Sequence, residues 1–259
     1  MTAVEVHPAC ELFIVTGASR GLGRGMVDAL HARSHTCVLG LSRQAPVGMH
    51  ASAPHEHWTV DLADPLAVSI RLQAWLDTKA SSSWQRVTLV NNAATLATPG
   101  PLEDEALATL SAAMRVGLEA PTLLTAAFLK ATETWSAKRR VLHISSGLGR
   151  CAMAGSAAYC AVKAGLDHLA RAQAMDQAQR RGRGLNAAAI VSLAPGVIDT
   201  DMQQMLRGAN ADAFPERVRF EAFAAQGMLD SPDAAARKVL AFLDRSTFGN
   251  EAVADVRDA

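Results

Sequence analysis

Short apolar runs alternate along the chain with longer stretches rich in alanine and leucine. The apolar runs predict β-strands, with 252–256 the weakest, at 11–16, 36–42, 57–60, 86–91, 140–145, 187–193 and 252–256. The intervening stretches predict helices at 21–32, 64–79, 103–132, 156–181 and 231–244. This βα rhythm predicts an α/β fold with a doubly wound, parallel, seven-stranded sheet and helices on both of its faces.

The chain shows no break that would separate two domains. The Pro/Gly-rich pieces at 45–48 and 98–101 are loop-sized, so we expect a single domain over 1–259. With 259 residues, of which 49% are hydrophobic and 19% charged, the chain can bury a full core. Its 25 Lys and Arg balance its 25 Asp and Glu, so no bulk positive charge favours nucleic acid or an anionic membrane.

Cysteine and histidine spacing offers little support for a metal site. The four cysteines form no CxxC pair, and we expect reduced thiols, as in a cytoplasmic protein. His50, His55 and His57 lie in a polar loop, where solvated side chains are expected and a metal site is not. No leader-like segment opens the chain and no run of about 18 apolar residues occurs, so we expect a protein neither exported nor membrane-bound.

The first predicted strand runs into a glycine-rich corner, Thr16-Gly17-Ala18-Ser19-Arg20-Gly21-Leu22-Gly23. A strand, a glycine turn and a helix in this order direct free backbone N–H groups and the positive end of the helix dipole at one point. That arrangement suits a phosphate, although a tight turn without any ligand has the same spacing. The corner is a candidate pyrophosphate site on these grounds.

Tyr159 and Lys163 form the clearest candidate for acid-base chemistry. A spacing of four places both side chains on one face of the predicted helix 156–181. Reduction of a ketone needs a proton donor at oxygen, and a nearby ammonium group would lower the pKa of a phenol toward neutrality. The alternative is a packed tyrosine next to a solvated lysine.

Together these motifs resemble the short-chain dehydrogenase/reductase family. The glycine corner, then Asn91-Asn92-Ala93, then Ser146, then Tyr159-x-x-x-Lys163 follow the family's order and span most of the chain. The resemblance implies a Rossmann fold, a nicotinamide cofactor, and a catalytic set of Ser146, Tyr159 and Lys163. Ser146, not Ser145, holds the family's usual place thirteen residues before the tyrosine.

One family residue is missing from the pattern. Many members carry an asparagine in the long central helix that holds a water near the lysine, and Gly117 stands at its place. A glycine offers no amide, although the lack of a Cβ leaves room for an ordered water. The sequence therefore does not identify the group that would relay protons to Lys163.

Charged residues near the expected ribose site favour NADP(H) over NAD(H). The second strand ends in Ser42-Arg43, and Arg20 lies in the glycine corner; arginine suits a 2′-phosphate. Two solvated surface arginines are the alternative reading. The resemblance also assigns residues to cofactor binding, which are Gly17, Ser19, Gly21, Leu22, Gly23, Asp61, Leu62, Asn91, Ala93, Pro195, Gly196, Val197 and Thr200, with Tyr159 and Lys163.

The stretch 194–205 is similar to a branch of the family that contains sepiapterin reductase and bacterial benzil reductase, which implies reduction of ketones or vicinal diketones. Segment 200–230 is then a substrate loop or lid. Candidate pocket residues are Gly147, Leu148, Met153, Met202 and Met205, together with Leu206 and Phe214, although each also suits an apolar core.

A second hypothesis is an idle NADP-binding protein of the same fold that acts as a sensor or assembly subunit. Gly117 is its only support. The resemblance further implies a homodimer or homotetramer built by the helices near 103–132 and 156–181.

Overall fold

The computed structural model describes residues 10–46 and 55–258. Seven parallel strands form one sheet in the order β3-β2-β1-β4-β5-β6-β7. The strands are β1 (Cys10–Thr16), β2 (Thr36–Ser42), β3 (Glu56–Thr59), β4 (Trp84–Asn91), β5 (Lys138–Ile144), β6 (Ala189–Ala194) and β7 (Val253–Asp255). The predicted seven-stranded parallel sheet is confirmed, with strand ends shifted by one or two residues.

Helices cover both faces of this sheet, as the pattern predicts. They are α1 (Gly21–His31), α2 (Pro65–Asp77), α3 (Leu107–Met114), α4 (Ala120–Ala131), α5 (Ala157–Gly182), α6 (Asp201–Arg207), α7 (Arg217–Ala225) and α8 (Pro232–Asp244). Two apolar cores result. One joins α2, α4 and α5 to the sheet through Leu72, Leu124 and Ala170, and the other joins α1 and α8 to it through Met26 and Val239.

The helix expected over 103–132 differs most from its prediction. Residues Leu102–Asp104 form a 3₁₀ turn, and a π-helical turn at Arg115–Glu119 separates α3 from α4. Within the described residues, Leu107–Ala131 is also the one stretch that is long and apolar enough to span a bilayer by length and composition. Nearly half of it is buried against the rest of the fold, with Leu124 and Phe128 fully covered.

The order of the strands in the sheet creates a crevice at the carboxyl ends of β1 and β4. The chain proceeds outward from β1 to β2 and β3, then returns to the other side of β1 at β4. In open α/β sheets ligands bind outside the carboxyl ends of the strands at such a reversal. The glycine corner follows β1 and Asn91-Asn92-Ala93 follows β4, so both predicted motifs lie at this point.

Candidate active site

A cleft of about 1140 Å³ opens along the carboxyl ends of the strands. Its walls include the glycine corner, the loops after β2, β4, β5 and β6, the first turns of α5, and residues of α6 and α7. The cleft therefore spans both the expected cofactor end and the expected substrate end of one continuous site.

The glycine corner is packed tightly against the end of β4. Gly17 has φ of +68°, and a Cβ at this position would lie 2.9 Å from Asn92 Nδ2. A Cβ on Gly23 would lie 2.1 Å from the Gly17 carbonyl oxygen, so α1 approaches the corner as closely as a backbone allows. Asn92 Nδ2 donates to the Thr16 carbonyl oxygen at 2.9 Å and holds the corner to the next loop.

The start of α1 has the features of an anion site. No side chain caps its N-terminus, and its first turn contains no acidic residue. The first backbone N–H groups of a helix have no intrahelical partner and carry the positive end of the dipole. Because Arg20, Gly21 and Leu22 line the cleft, these groups meet it directly. The residues present thus fit the pyrophosphate of a dinucleotide.

The two predicted phosphate-binding arginines differ in their surroundings. Arg43 is exposed on the wall of the cleft after β2. Arg20 pairs with Asp201 at the start of α6, at 2.7 Å, and both side chains are largely exposed. Next to Arg43, Ser42 Oγ donates to the Gln44 carbonyl oxygen at 2.7 Å, so in the 3.1 Å contact with His57 Nε2 the imidazole is the donor.

Ser146 follows β5 and begins a 3₁₀ turn over Gly147–Gly149. Its Oγ accepts a hydrogen bond from the Leu148 N–H at 3.2 Å, which leaves its own proton for another acceptor. The neighbouring Ser145 has a buried hydroxyl without a hydrogen-bond partner among the described residues. Both serines line the cleft, and the Ser146 hydroxyl is the one that the loop anchors there.

Tyr159 and Lys163 lie on the same face of α5, opposite Ser146. Lys163 Nζ lies 5.4 Å from the centroid of the Tyr159 ring and donates to the Ile144 carbonyl oxygen at 2.7 Å. Burial raises the pKa of Tyr159 to about 12, and a hydrogen bond with Ser146 opposes the rise. The expected lowering of the phenol pKa by Lys163 is not found in this structure, so Tyr159 is a protonated phenol at neutral pH.

Gly117 is buried in the π-helical turn between α3 and α4, facing α5. A Cβ on Gly117 would lie 2.5 Å from Val162 Cγ1. The expectation of room for an ordered water beside Gly117 is therefore wrong, because a branched side chain from α5 already fills that space.

The cleft brings together most of the predicted site. Its walls contain the three predicted catalytic residues and the following predicted binding residues: Gly17, Ser19, Arg20, Gly21, Leu22, Ser42, Arg43, Asp61, Leu62, Ala93, Gly147, Leu148, Met153, Pro195, Gly196, Val197, Thr200 and Met202. Leu206 also lines it.

Four predicted residues lie elsewhere. Asn91 turns inward, where its Nδ2 contacts Thr125 Oγ1 at 3.1 Å, and it does not line the cleft. Gly23 does not line the cleft, and its role is to let α1 pack closely against the glycine corner. Met205 is about half exposed outside the cleft, because successive residues of the short helix α6 face different sides. Phe214 lies between α6 and α7 and is buried in a cluster with Phe220.

Sequence reasoning missed several residues of the cleft. Asn92 lines the cleft and belongs to the Asn91-Asn92-Ala93 motif, but no role was predicted for it. Phe220 and Phe223 of α7 and Arg257 after β7 line the substrate end and belong to no motif. The apolar spacing of α7 was the one signal available for its two aromatic residues.

The histidines near β3 behave differently from the expectation of solvated side chains. His57 is half-buried in β3 and hydrogen-bonded to Ser42, and the His55 ring lies 3.9 Å from the His31 ring. His50 lies outside the described residues. Among the residues that the structure covers, no group of three His, Cys, Asp or Glu side chains is placed to hold a metal ion.

Comparison with known proteins agrees with this site. The family model for short chain dehydrogenase matches residues 11–211. A benzil reductase ((S)-benzoin forming) of Bacillus subtilis is 31% identical over 96% of this chain and 99% of its own. The sepiapterin reductase of Mus musculus is 30% identical over 96% of this chain and 97% of its own.

Solved structures show the same architecture. A short-chain dehydrogenase/reductase from Burkholderia vietnamiensis is 33% identical, with a TM-score of 0.62 over 96% of this chain and 97% of that one. A NAD(P)-dependent dehydrogenase from Beutenbergia cavernae, which holds NADP at low occupancy, is 27% identical with a TM-score of 0.74 over 96% and 95%. With its Rossmann-like sheet and a family match over most of its length, the chain belongs to the short-chain dehydrogenase/reductase family of oxidoreductases.

Proposed function

We propose that the protein is an NADPH-dependent carbonyl reductase that converts a ketone or vicinal diketone to an alcohol. One observation carries the proposal: Ser146, Tyr159 and Lys163 line the same cleft as an uncapped helix N-terminus and the exposed Arg43. The benzil and sepiapterin reductases among its relatives support the substrate class.

Ser146 orients the substrate carbonyl. Because its Oγ already accepts from the Leu148 N–H, its own proton is free to be donated to a carbonyl oxygen. A preset donor of this kind stabilises the charge that develops on oxygen as the carbonyl carbon is reduced. A nicotinamide cofactor, when held in this cleft, would supply the hydride to that carbon.

Tyr159 donates the proton to the carbonyl oxygen. Its pKa of about 12 keeps the phenol protonated at neutral pH, and the alkoxide that forms is a much stronger base. Reduction therefore needs no prior deprotonation in this site. Lys163 places a cation 5.4 Å from the ring, close to the negative charge that proton transfer leaves on Tyr159, although it does not offset the burial that raises the phenol pKa.

An apolar wall closes the substrate end. Met153 and Met202 face the cleft, and Phe220 and Phe223 reach it from α7. Methionine and aromatic side chains together suit a flat, apolar ketone. We propose that segment 200–230, which holds α6 and α7, acts as the lid over this end.

Preference for NADPH over NADH rests on Arg43 and Arg20. A guanidinium group binds a phosphate dianion through charge-assisted hydrogen bonds. Arg43 is exposed at the ribose end, while Arg20 shares its charge with Asp201. Arg43 thus contributes more to the preference than Arg20 does.

Steady-state oxidation of NADPH and NADH, with a vicinal aryl diketone and a pterin side-chain ketone as substrates, tests the proposal. We expect turnover with NADPH and little with NADH. Arg43→Ala should lower kcat/KM for NADPH by about 10- to 100-fold and leave that for NADH nearly unchanged, because only NADPH carries the phosphate.

Arg237→Ala, which removes an exposed arginine of α8, is the matched control and should change neither value. Equal use of both cofactors by the wild type would refute the NADPH preference. Binding of NADPH without reduction of any ketone would instead favour the idle-binder alternative.

A further inference from the structure

Behind the catalytic pair lies a second buried ionisable residue on the same helix. Asp167 follows Lys163 by four residues on α5, and the two residues are 1% and 2% exposed. Residues four apart in a helix lie one above the other on one face. Tyr159, Lys163 and Asp167 therefore form one column that runs from the cleft into the protein.

Only one of the two carboxylate oxygens of Asp167 accepts a hydrogen bond from the described residues. Ser192 Oγ of β6 donates to Oδ1 at 2.7 Å. Oδ2 is buried and accepts no hydrogen bond from any residue that the structure describes. A buried carboxylate charge without full hydrogen bonding needs compensation by nearby cations.

Arg150, in the loop that carries Ser146, supplies one such cation. Its Nε lies 3.4 Å from Asp167 Oδ2, and the same guanidinium donates to the Ala254 carbonyl oxygen at 2.7 Å. It also lies 3.6 Å from Asp255 Oδ2, whose carboxylate is paired with Arg257. Arg150 thus divides its charge between two carboxylates and cannot fully compensate Asp167.

The serine loop packs directly on this carboxylate. A Cβ on Gly149 would lie 2.9 Å from Asp167 Oδ2, so the backbone three residues after Ser146 touches it. The other ionisable group facing both Lys163 and Asp167 is His143 of β5, whose pKa burial lowers to about 4. His143 is neutral at physiological pH and adds no charge to the column.

Few groups other than Asp167 stabilise the charged form of Lys163. Its one hydrogen bond within the described residues goes to the Ile144 carbonyl oxygen, and burial lowers its pKa to about 8, an effect that the charge of Asp167 opposes. Gly117 supplies no amide nearby, and Val162 fills the adjacent space.

We propose that Asp167 is a positioning residue of the reaction, whose buried carboxylate keeps Lys163 charged in a site that lacks the family's usual asparagine. Arg150 weakens this effect, because its guanidinium, in the loop that carries Ser146, compensates part of the Asp167 charge. The catalytic consequence rests on the proposed carbonyl reduction, whereas the coupling between Asp167 and Lys163 does not.

Titration of Lys163 itself tests the coupling without any turnover. The chain contains five lysines, at 79, 130, 138, 163 and 238, so ¹³C labelling of lysine Cε gives a spectrum in which Lys163→Arg identifies the signal. We expect a wild-type midpoint near pH 8, and a midpoint about one pH unit lower in Asp167→Asn, which removes the charge with little change of shape.

Two further variants serve as a control and as a second test of the coupling. Asp176→Asn removes an exposed carboxylate from the same helix and should leave the Lys163 midpoint unchanged. Arg150→Gln should raise that midpoint, because Asp167 then faces Lys163 alone; it provides the test if Asp167→Asn does not fold. An unchanged midpoint in a folded Asp167→Asn, or a lowered one in Arg150→Gln, would overturn the proposal.

The pH profile of kcat/KM then separates positioning from simple support of the fold. In Asp167→Asn the alkaline limb should move to lower pH along with the lysine midpoint, a shift that a purely structural loss of activity would not produce. If the midpoint moves but no variant or wild type reduces a ketone, the coupling stands and the proposed function fails.

Discussion

Among individual residues, His143 is a fully buried imidazole beneath the site with a polar partner at each ring nitrogen. Asn91 Nδ2 contacts its Nδ1 at 3.2 Å and Gln173 Oε1 contacts its Nε2 at 3.0 Å. An amide nitrogen can only donate and an amide oxygen can only accept, so Nε2 carries the proton and the ring is the neutral tautomer. Desolvation by burial lowers its pKa to about 4.

This buried imidazole predicts acid sensitivity of the fold. Below pH 6.5 the unfolded chain binds a proton on this residue, whereas the native state does so only near pH 4. The unfolded state thus binds more protons in this window, and the free energy of unfolding falls as pH falls, by about 3 kcal/mol from this residue.

Urea unfolding at several pH values between 7 and 4 measures the effect. His143→Gln should flatten the pH dependence, even if the variant is less stable at every pH. His168→Gln, which changes an exposed histidine of α5, should keep the wild-type slope. Equal slopes in all three proteins would contradict the assignment of the neutral tautomer to His143.

Among the elements, the π-helical turn at Arg115–Glu119 departs most from the helix that the sequence predicts over 103–132. One extra residue per turn between α3 and α4 presents Gly117 to α5, where Val162 Cγ1 occupies the place of a Cβ. Such turns interrupt otherwise regular helices and concentrate at functional sites. Gly117 and Val162 thus form one steric pair across two helices.

Gly117→Ala should lower the free energy of unfolding by about 1–3 kcal/mol through overpacking. In the presence of Val162→Ala the collision is gone, and the same change should stabilise by about 0.5–1 kcal/mol, as glycine to alanine does within a helix. Thermal or denaturant unfolding of the four proteins gives the coupling.

Gly182→Ala serves as the control for backbone effects, because a Cβ at that position meets no atom within 4 Å. It should not destabilise the protein. If the Gly117 and Val162 substitutions were additive, the steric pair would not exist and the space beside Gly117 would be open after all.

At the scale of the whole molecule, the periodic pattern was sufficient for the fold. Buried parallel strands are short and almost wholly apolar, and the helices between them are longer, so both the seven strands and their parallel direction were predictable. The catalytic set was predictable because Tyr159 and Lys163 are linked by helix spacing, and because the motifs keep a fixed order along the chain.

The remaining details depend on contacts between distant segments. Adjacent residues of a strand face opposite sides, so whether Asn91 or Asn92 faces the cleft depends on the register of β4. Arg257 reaches the cleft only because β7 pairs with β6, and Val162 meets Gly117 only across two packed helices. The homo-oligomer and the cytoplasmic location stay predictions.

Tyr159→Phe, assayed both for ketone-dependent NADPH oxidation and for NADPH binding by fluorescence titration, tests the proposed proton donor directly. Loss of the phenolic proton should lower kcat by about 10²- to 10⁴-fold, while the Kd for NADPH stays nearly unchanged. A variant that still reduces the ketone at close to the wild-type rate would contradict the role of Tyr159 as proton donor.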